Sequence, residues 1–141
     1  MKRLVLDTDV LVAGLKSPTG ASAEILRRIH GRRFVMLASV ALFLEYETVL
    51  TRSEHLRALQ LSGARMRRLL DELAEMVMPV ESWFQWRPQL RDPADEMVLE
   101  AAVNGRSDVL ISFNSRDFSN APSHFGIELA TPGQFLRSLQ K

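Results

Sequence analysis

Leu4-Val5-Leu6-Asp7-Thr8-Asp9 is the stretch that decides the fold class. Three apolar residues end abruptly in a polar turn, the mark of a short strand buried on both faces. Val10 to Leu15 then begins a helix, which Ser17-Pro18-Thr19-Gly20 stops. Ser22 to His30 carries Ile25, Leu26 and Ile29 at helical spacing, with Gly31 as its stop. Phe34 to Ala38 reads as a second buried strand, and Ser39 caps a helix through Leu42, Phe43, Tyr46, Val49 and Leu50. Ser62 to Val77 is amphipathic, with Met66, Leu69, Leu70, Leu73 and Val77 on one stripe. Trp83, Phe84 and Trp86 lie in an irregular connection that ends at Arg91. Asp92-Pro93 then supplies a cap and first turn for a helix reaching about Val103, stopped by Asn104-Gly105. Val109-Leu110-Ile111 and Ile127-Glu128-Leu129 are further strands, and Pro132 opens a last helix through Leu139. Three or four short apolar strands alternating with helices predict a parallel sheet covered on both faces.

Composition limits the function without choosing it. The chain has 141 residues, 46% hydrophobic and 25% charged, as expected of one ordinary globular domain spanning 1–141. The 18 basic and 17 acidic residues leave a net charge of +1, so no global polycation points to nucleic acid. Arginines do cluster locally, at Arg27, Arg28, Arg32 and Arg33 and again at Arg65, Arg67 and Arg68, where solvated helix faces are the simplest reading. The absence of cysteine removes disulfides, thiolate metal sites and cysteine nucleophiles together. No segment approaches the roughly 18 apolar residues that span a bilayer. Asp7 and Asp9 interrupt the apolar start too early for a signal peptide, so a cytoplasmic protein is expected.

The acidic residues are more telling. Ligands of a parallel α/β sheet gather at the carboxyl ends of its strands. Asp7 follows the first strand, and Ser112, Asn114 and Asp117 follow the strand at Val109–Ile111. Glu45 falls one to two turns into the helix after the second strand, and Asp92, Asp95 and Glu96 crowd the first turn of the later helix. Each has an ordinary alternative role: Asp92 as a cap, Asp95 or Glu96 as a complement to the helix dipole. Glu45 and Asp7 adjoin apolar stretches, where an unpartnered carboxylate is costly. Several carboxylates converging on one sheet edge repel one another unless a cation separates them. With no cysteine and no paired histidines, that cation is a hard one, Mg2+ or Mn2+. Such a site activates water and neutralises charge on a phosphodiester. Spacing alone does not separate a nuclease from a phosphatase or a phosphotransferase.

The same residues resemble a known family. Leu4-Val5-Leu6-Asp7-Thr8-Asp9-Val10-Leu11-Val12 looks like the opening of a PIN domain, a strand ending in Asp-Thr-Asn or Asp-Thr-Asp. Leu44-Glu45-Tyr46-Glu47-Thr48-Val49-Leu50 is similar to its second motif, Arg91-Asp92-Pro93-Ala94-Asp95-Glu96-Met97-Val98-Leu99-Glu100-Ala101-Ala102 to its third, and Leu110-Ile111-Ser112-Phe113-Asn114-Ser115-Arg116-Asp117-Phe118 to its fourth. Thr131-Pro132-Gly133-Gln134-Phe135-Leu136 resembles the closing helix. The resemblance covers nearly the whole chain, with the motifs in order.

It implies a three-layer α/β/α sandwich around a parallel sheet, and Mg2+- or Mn2+-dependent cleavage of single-stranded RNA. It assigns Asp7, Glu45 and Asp95 as catalytic metal ligands, with Glu96 as the rival of Asp95. Asn114 stands where many members have aspartate, which leaves Asn114 and Asp117 as alternatives for the fourth ligand. Thr8 and Ser112 are placed as hydroxyl groups supporting the ligands. A carboxylate-lined cleft repels phosphate, so cations on its rim must hold the RNA backbone, and Arg27, Arg28, Arg32, Arg33 and Arg116 are the candidate contacts. For short members such as the VapC-like toxins it implies an antitoxin partner and a homodimer. Met66 to Met78 together with Trp83, Phe84 and Trp86 is the expected partner surface, although the Leu69–Leu73 stripe reads first as core. The alternative function is a PIN fold that binds RNA or a partner without cutting, which the neutral Asn114 favours.

Overall fold

A computed structural model describes residues 1–81 and 90–140. Strands β1 (Lys2–Leu6), β2 (Phe34–Ser39), β3 (Val77–Val80), β4 (Val109–Ile111) and β5 (Glu128–Ala130) form one sheet. Its order is β3-β2-β1-β4-β5, and every neighbouring pair is parallel. The intervening helices are α1 (Thr8–Lys16), α2 (Ala21–His30), α3 (Val40–Leu50), α4 (Ser53–Leu59), α5 (Gly63–Met76), α6 (Pro93–Asn104), the single turns α7 (Ser115–Phe118) and α8 (Ala121–His124), and α9 (Pro132–Ser138). The strand register explains the apolar runs: Leu4, Val5, Leu6, Val109, Leu110 and Ile111 are all fully buried, as central parallel strands must be.

Side chains of β2 show that helices cover both faces. Successive residues of a strand point to opposite sides. Phe34 meets Phe135 of α9 edge to face, ring centres 5.2 Å apart. Leu37, of opposite parity, packs instead at the end of α6: a Cβ built on Gly105 would come within 2.9 Å of both Leu37 and Val80. Position 105 is therefore glycine for space. The result is the expected three-layer α/β/α sandwich.

Besides the single turns α7 and α8, two elements differ from the sequence reading. Helix α4 carries only the half-buried Leu56 and Leu59 as apolar anchors and has no side-chain cap, so its periodic signal is faint. Strand β3 takes over where the stripe of α5 ends. Pro79 argues against a strand, but β3 is the sheet's edge and its missing N–H leaves no ladder bond broken on the outer side. Met66, Leu70 and Leu73 are buried and Leu69 packs against them, so the α5 stripe is core. Trp83, Phe84 and Trp86 lie outside the described residues.

Caps fall where the residue types place them. Ser39 accepts from the Leu42 N–H at 3.1 Å, Asp92 from Ala94 at 2.9 Å, and Thr131 with Gln134 closes a capping box on α9. Helix α3 is pinned more deeply. The fully buried Tyr46 hydroxyl donates to the Leu6 carbonyl at 2.5 Å, tying α3 to the end of β1. Tyr46→Phe strands a buried carbonyl, so a loss of about 1–3 kcal/mol in unfolding free energy is expected in urea titration. An unchanged midpoint would show that the carbonyl finds another donor.

Candidate active site

Chain order runs outward from β1 through β2 to β3, then returns to the other side of β1 for β4 and β5. The reversal lies between β1 and β4. At such a switch point the loops diverge and leave a crevice beyond the carboxyl ends of the strands. Asp7 and Asp9 follow β1, Ser112 to Asp117 follow β4, and Asp92 and Asp95 begin α6, which leads back into β4.

Asp7 is the N-cap of α1 and is 8% exposed. One oxygen accepts from the Thr8 main-chain N–H at 2.8 Å, the other from the Ser112 hydroxyl at 2.7 Å. Ser112 is itself fully buried and accepts from the Asn114 N–H at 2.9 Å. The supporting role expected of Ser112 therefore has a direct contact, whereas Thr8 reaches Asp7 through its main chain. Burial raises the Asp7 carboxyl above the ordinary range, and the charges of Asp117 and Asp92 push it further. The two hydrogen bonds oppose this without cancelling it.

Asp95 is raised to about 6, first by burial and then by the charges of Asp7, Asp92 and Asp117. It lines a cleft of about 470 Å3 with Leu90, Arg91, Asp92, Arg116, Asp117 and Ser119. Its neighbour Glu96 turns elsewhere, accepting from the Leu90 N–H at 2.8 Å. Asn114 presents its amide nitrogen to Asp9 at 3.0 Å, while Asp117 lies in the cleft.

Glu45 stands apart from this set. It is half-buried on α3, without a hydrogen-bond or ion-pair partner among the described residues, and its charge is not among those acting on Asp7, Asp9 or Asp95. Its neighbour Tyr46 does meet the site, through Leu6 and the nearby charge of Asp7. Arg27 and Arg28 both pair with Glu24 on α2, and Arg27 also donates to the Pro18 carbonyl, whereas Arg116 and Arg91 flank the acidic cleft.

Asp9 is a site residue that the sequence reading passes over. Its carboxyl is raised to about 7, chiefly by burial and then by Asp7. One oxygen accepts from the Phe113 N–H at 3.2 Å and from Asn114 at 3.0 Å; the other is buried with no partner. A second acid two residues after Asp7 is the available signal, but in sequence it reads only as part of a turn. Asp92 likewise reads in sequence as a cap, yet its charge acts on both Asp7 and Asp95.

The donors are all oxygen, the carboxyls crowd one another, and one buried carboxylate oxygen lacks a donor. That combination fits a hard cation. Among the described residues, however, no three acidic or histidine side chains stand close enough to share one ion directly.

A family model described as the PIN domain matches residues 3–116. The chain belongs to the PIN domain family, whose members are typically nucleases that act on nucleic acid with divalent metal ions. Among curated proteins none matches it significantly. No helix of the described residues is long and apolar enough to cross a membrane.

Proposed function

We propose that this PIN domain is a Mg2+- or Mn2+-dependent endoribonuclease cutting single-stranded RNA, and that it is the toxin of a toxin–antitoxin pair. The observation that carries the nuclease reading is the gathering of Asp7, Asp9 and Asp95, each raised by burial and by the charge of neighbouring acids, at the switch point between β1 and β4. Asp7 and Asp95 are the carboxylates we assign to the ion directly, with Asp117 and Glu45 reaching it through the ion's own waters. Asp95 is preferred to Glu96 because it lines the cleft while Glu96 serves the Leu90 main chain. The spacing suits Mg2+, which keeps several waters and is commonly held by one or two carboxylates. When bound, such an ion acts as a Lewis acid and lowers the pKa of water for attack on a phosphodiester. Ser112 and the Thr8 N–H fix both oxygens of Asp7, so its orientation is set before an ion arrives.

An acidic cleft repels phosphate, so cations at its rim must hold the RNA. Arg116 and Arg91 are so placed, and the half-exposed Phe113 ring between Ser112 and Asn114 offers a face on which an unpaired base can stack. Arg116→Glu is expected to weaken single-stranded RNA binding and to flatten its salt dependence. The slope of log K against log salt becomes shallower by about 0.7 for each phosphate that the protein no longer neutralises. Fluorescence anisotropy across a salt series measures it, and an unchanged slope would remove Arg116 from the RNA path. The same reversal at Arg27 and Arg28 tests the α2 cluster.

The toxin assignment rests on the likeness to short PIN domains with antitoxin partners, and the single-domain, cytoplasmic and homodimer readings accompany it. Exposed apolar side chains suit a partner: Val40 (75% exposed), Leu44 (55%) and Met78 (44%) lie at or near the β3 edge. Cleavage of an unstructured RNA with Mg2+ or Mn2+, abolished by EDTA, tests the activity. Co-purification with the product of a neighbouring gene tests the partner. A second reading, RNA binding without cleavage, draws on the neutral Asn114 and on the wide spacing of the acids. RNA binding that is insensitive to metal, with no cleavage, would select it.

A further inference from the structure

Two parallel bridges join the start of α1 to the loop after β4. In the first, the Ser112 hydroxyl donates to Asp7 at 2.7 Å. In the second, the Asn114 amide donates to Asp9 at 3.0 Å, and the Phe113 N–H donates to the same Asp9 oxygen at 3.2 Å. The second bridge uses only one side of the carboxylate. The other oxygen, Oδ1, is buried and has no hydrogen-bond partner of ordinary geometry, although the Val10 main-chain N–H lies near enough to the carboxylate to favour its charge. A buried, unpartnered carboxylate oxygen costs more than one that is hydrogen-bonded or exposed, and such atoms are rare unless something else completes them. The first turn of α1 favours an acid through the helix dipole, but the fold does not require one at position 9: capping of α1 is done by Asp7, and an uncharged asparagine there could accept from Phe113 equally well.

Asn114 has a chemical reason to be neutral. An aspartate at 114 would set a second carboxylate against Asp9 across the 3.0 Å that now holds a hydrogen bond. The amide instead donates, fixes Oδ2, and leaves the charge of the pair wholly on α1. We propose that Asp9 is an ion-holding carboxylate of this site and that Asn114 is its positioning residue, holding Oδ2 so that Oδ1 serves the cation. The negative charge sought at position 114 is carried by position 9. The inference rests on the cation-dependent reading above and adds to it a ligand and the residue that aims it.

Calorimetric titration of the full chain with Mn2+, together with melting curves without metal, tests the pair. Asp9→Asn is expected to bind Mn2+ at least about tenfold more weakly, and to melt at a higher temperature without metal because a buried charge is gone. Asn114→Asp is expected to melt lower without metal, two carboxylates then facing each other, and to recover when Mn2+ is added. The double exchange, Asp9→Asn with Asn114→Asp, restores a hydrogen bond between the two positions with donor and acceptor reversed, at the cost of the Phe113 N–H contact to the same atom, and so is expected to regain part of the metal-free melting temperature that Asn114→Asp loses. Asp95→Asn is the control for the site itself. If Asp9→Asn keeps the affinity of the unchanged chain while Asp95→Asn loses it, the role of Asp9 is overturned and the nuclease reading stands. If the unchanged chain binds no Mn2+, both fall.

Discussion

Asp7→Asn is expected to cut the rate of RNA cleavage by more than about a hundredfold, the upper range for residues that merely support a metal ligand, while the protein stays folded. Asparagine is as good an N-cap as aspartate, so α1 keeps its start and the Thr8 N–H keeps an acceptor. The Ser112 hydroxyl, now a donor to Asp7, can rotate to accept from the new amide. Removing the charge also relieves Asp9, Asp95 and the buried Tyr46, each of which is pushed upward by Asp7. The metal-free variant should therefore melt no lower than the parent. Alanine is the poorer test, because it also deletes the cap, worth about 1 kcal/mol. Full cleavage by Asp7→Asn would end the assignment of Asp7. Abolished cleavage accompanied by abolished cooperative melting would reduce its role to structure.

The second large effect is on pH. Asp9 is raised to about 7 and Asp95 to about 6, from an unfolded value of 3.8 for each. A carboxyl raised in the folded state binds its proton more tightly there than in the unfolded chain. Its contribution to stability is thus complete below about pH 4 and is lost as the pH climbs through 6 and 7. As far as these groups decide it, the metal-free protein melts higher at pH 5 than at pH 8. Cation binding runs the other way, because the ion must displace those protons. Apparent Mn2+ affinity should rise about tenfold per pH unit for each proton displaced, levelling off above pH 7. Titration in buffers of differing ionisation enthalpy counts the protons released. A flat affinity between pH 5.5 and 8, or a metal-free melting point that climbs over that range, would show that these carboxyls do not govern the site.

Position 114 illustrates the difference between finding a residue and knowing its task. As a departure from an acidic pattern, Asn114 suggests a weakened ligand that coordinates through its amide oxygen. In the folded chain its amide nitrogen faces Asp9, a residue 105 positions away. Glu96 shows the same thing at shorter range. One residue of helix rotates the side chain by about 100°, so Asp95 enters the cleft while Glu96 turns back to the Leu90 main chain.

What the sequence by itself determined is whatever depends on local pattern. The strands at Leu4–Leu6, Phe34–Ala38 and Val109–Ile111 were legible because burial on both faces demands unbroken apolar runs. The starts of α3 and α6 were legible because Ser39 and Asp92 answer orphan N–H groups within their own turn. Strand β3 was not, because an edge strand is defined by its neighbour β2 and Pro79 contradicts it locally. The acids were visible as residues, but only the return of the chain from β3 across β1 to β4 brings Asp7, Asp9, Asp95 and Asp117 within reach of one another's charge. Burial and mutual repulsion depend on that through-space meeting. They turn a scatter of acids into a candidate metal centre, and they single out Asp9, which no spacing in the chain distinguished.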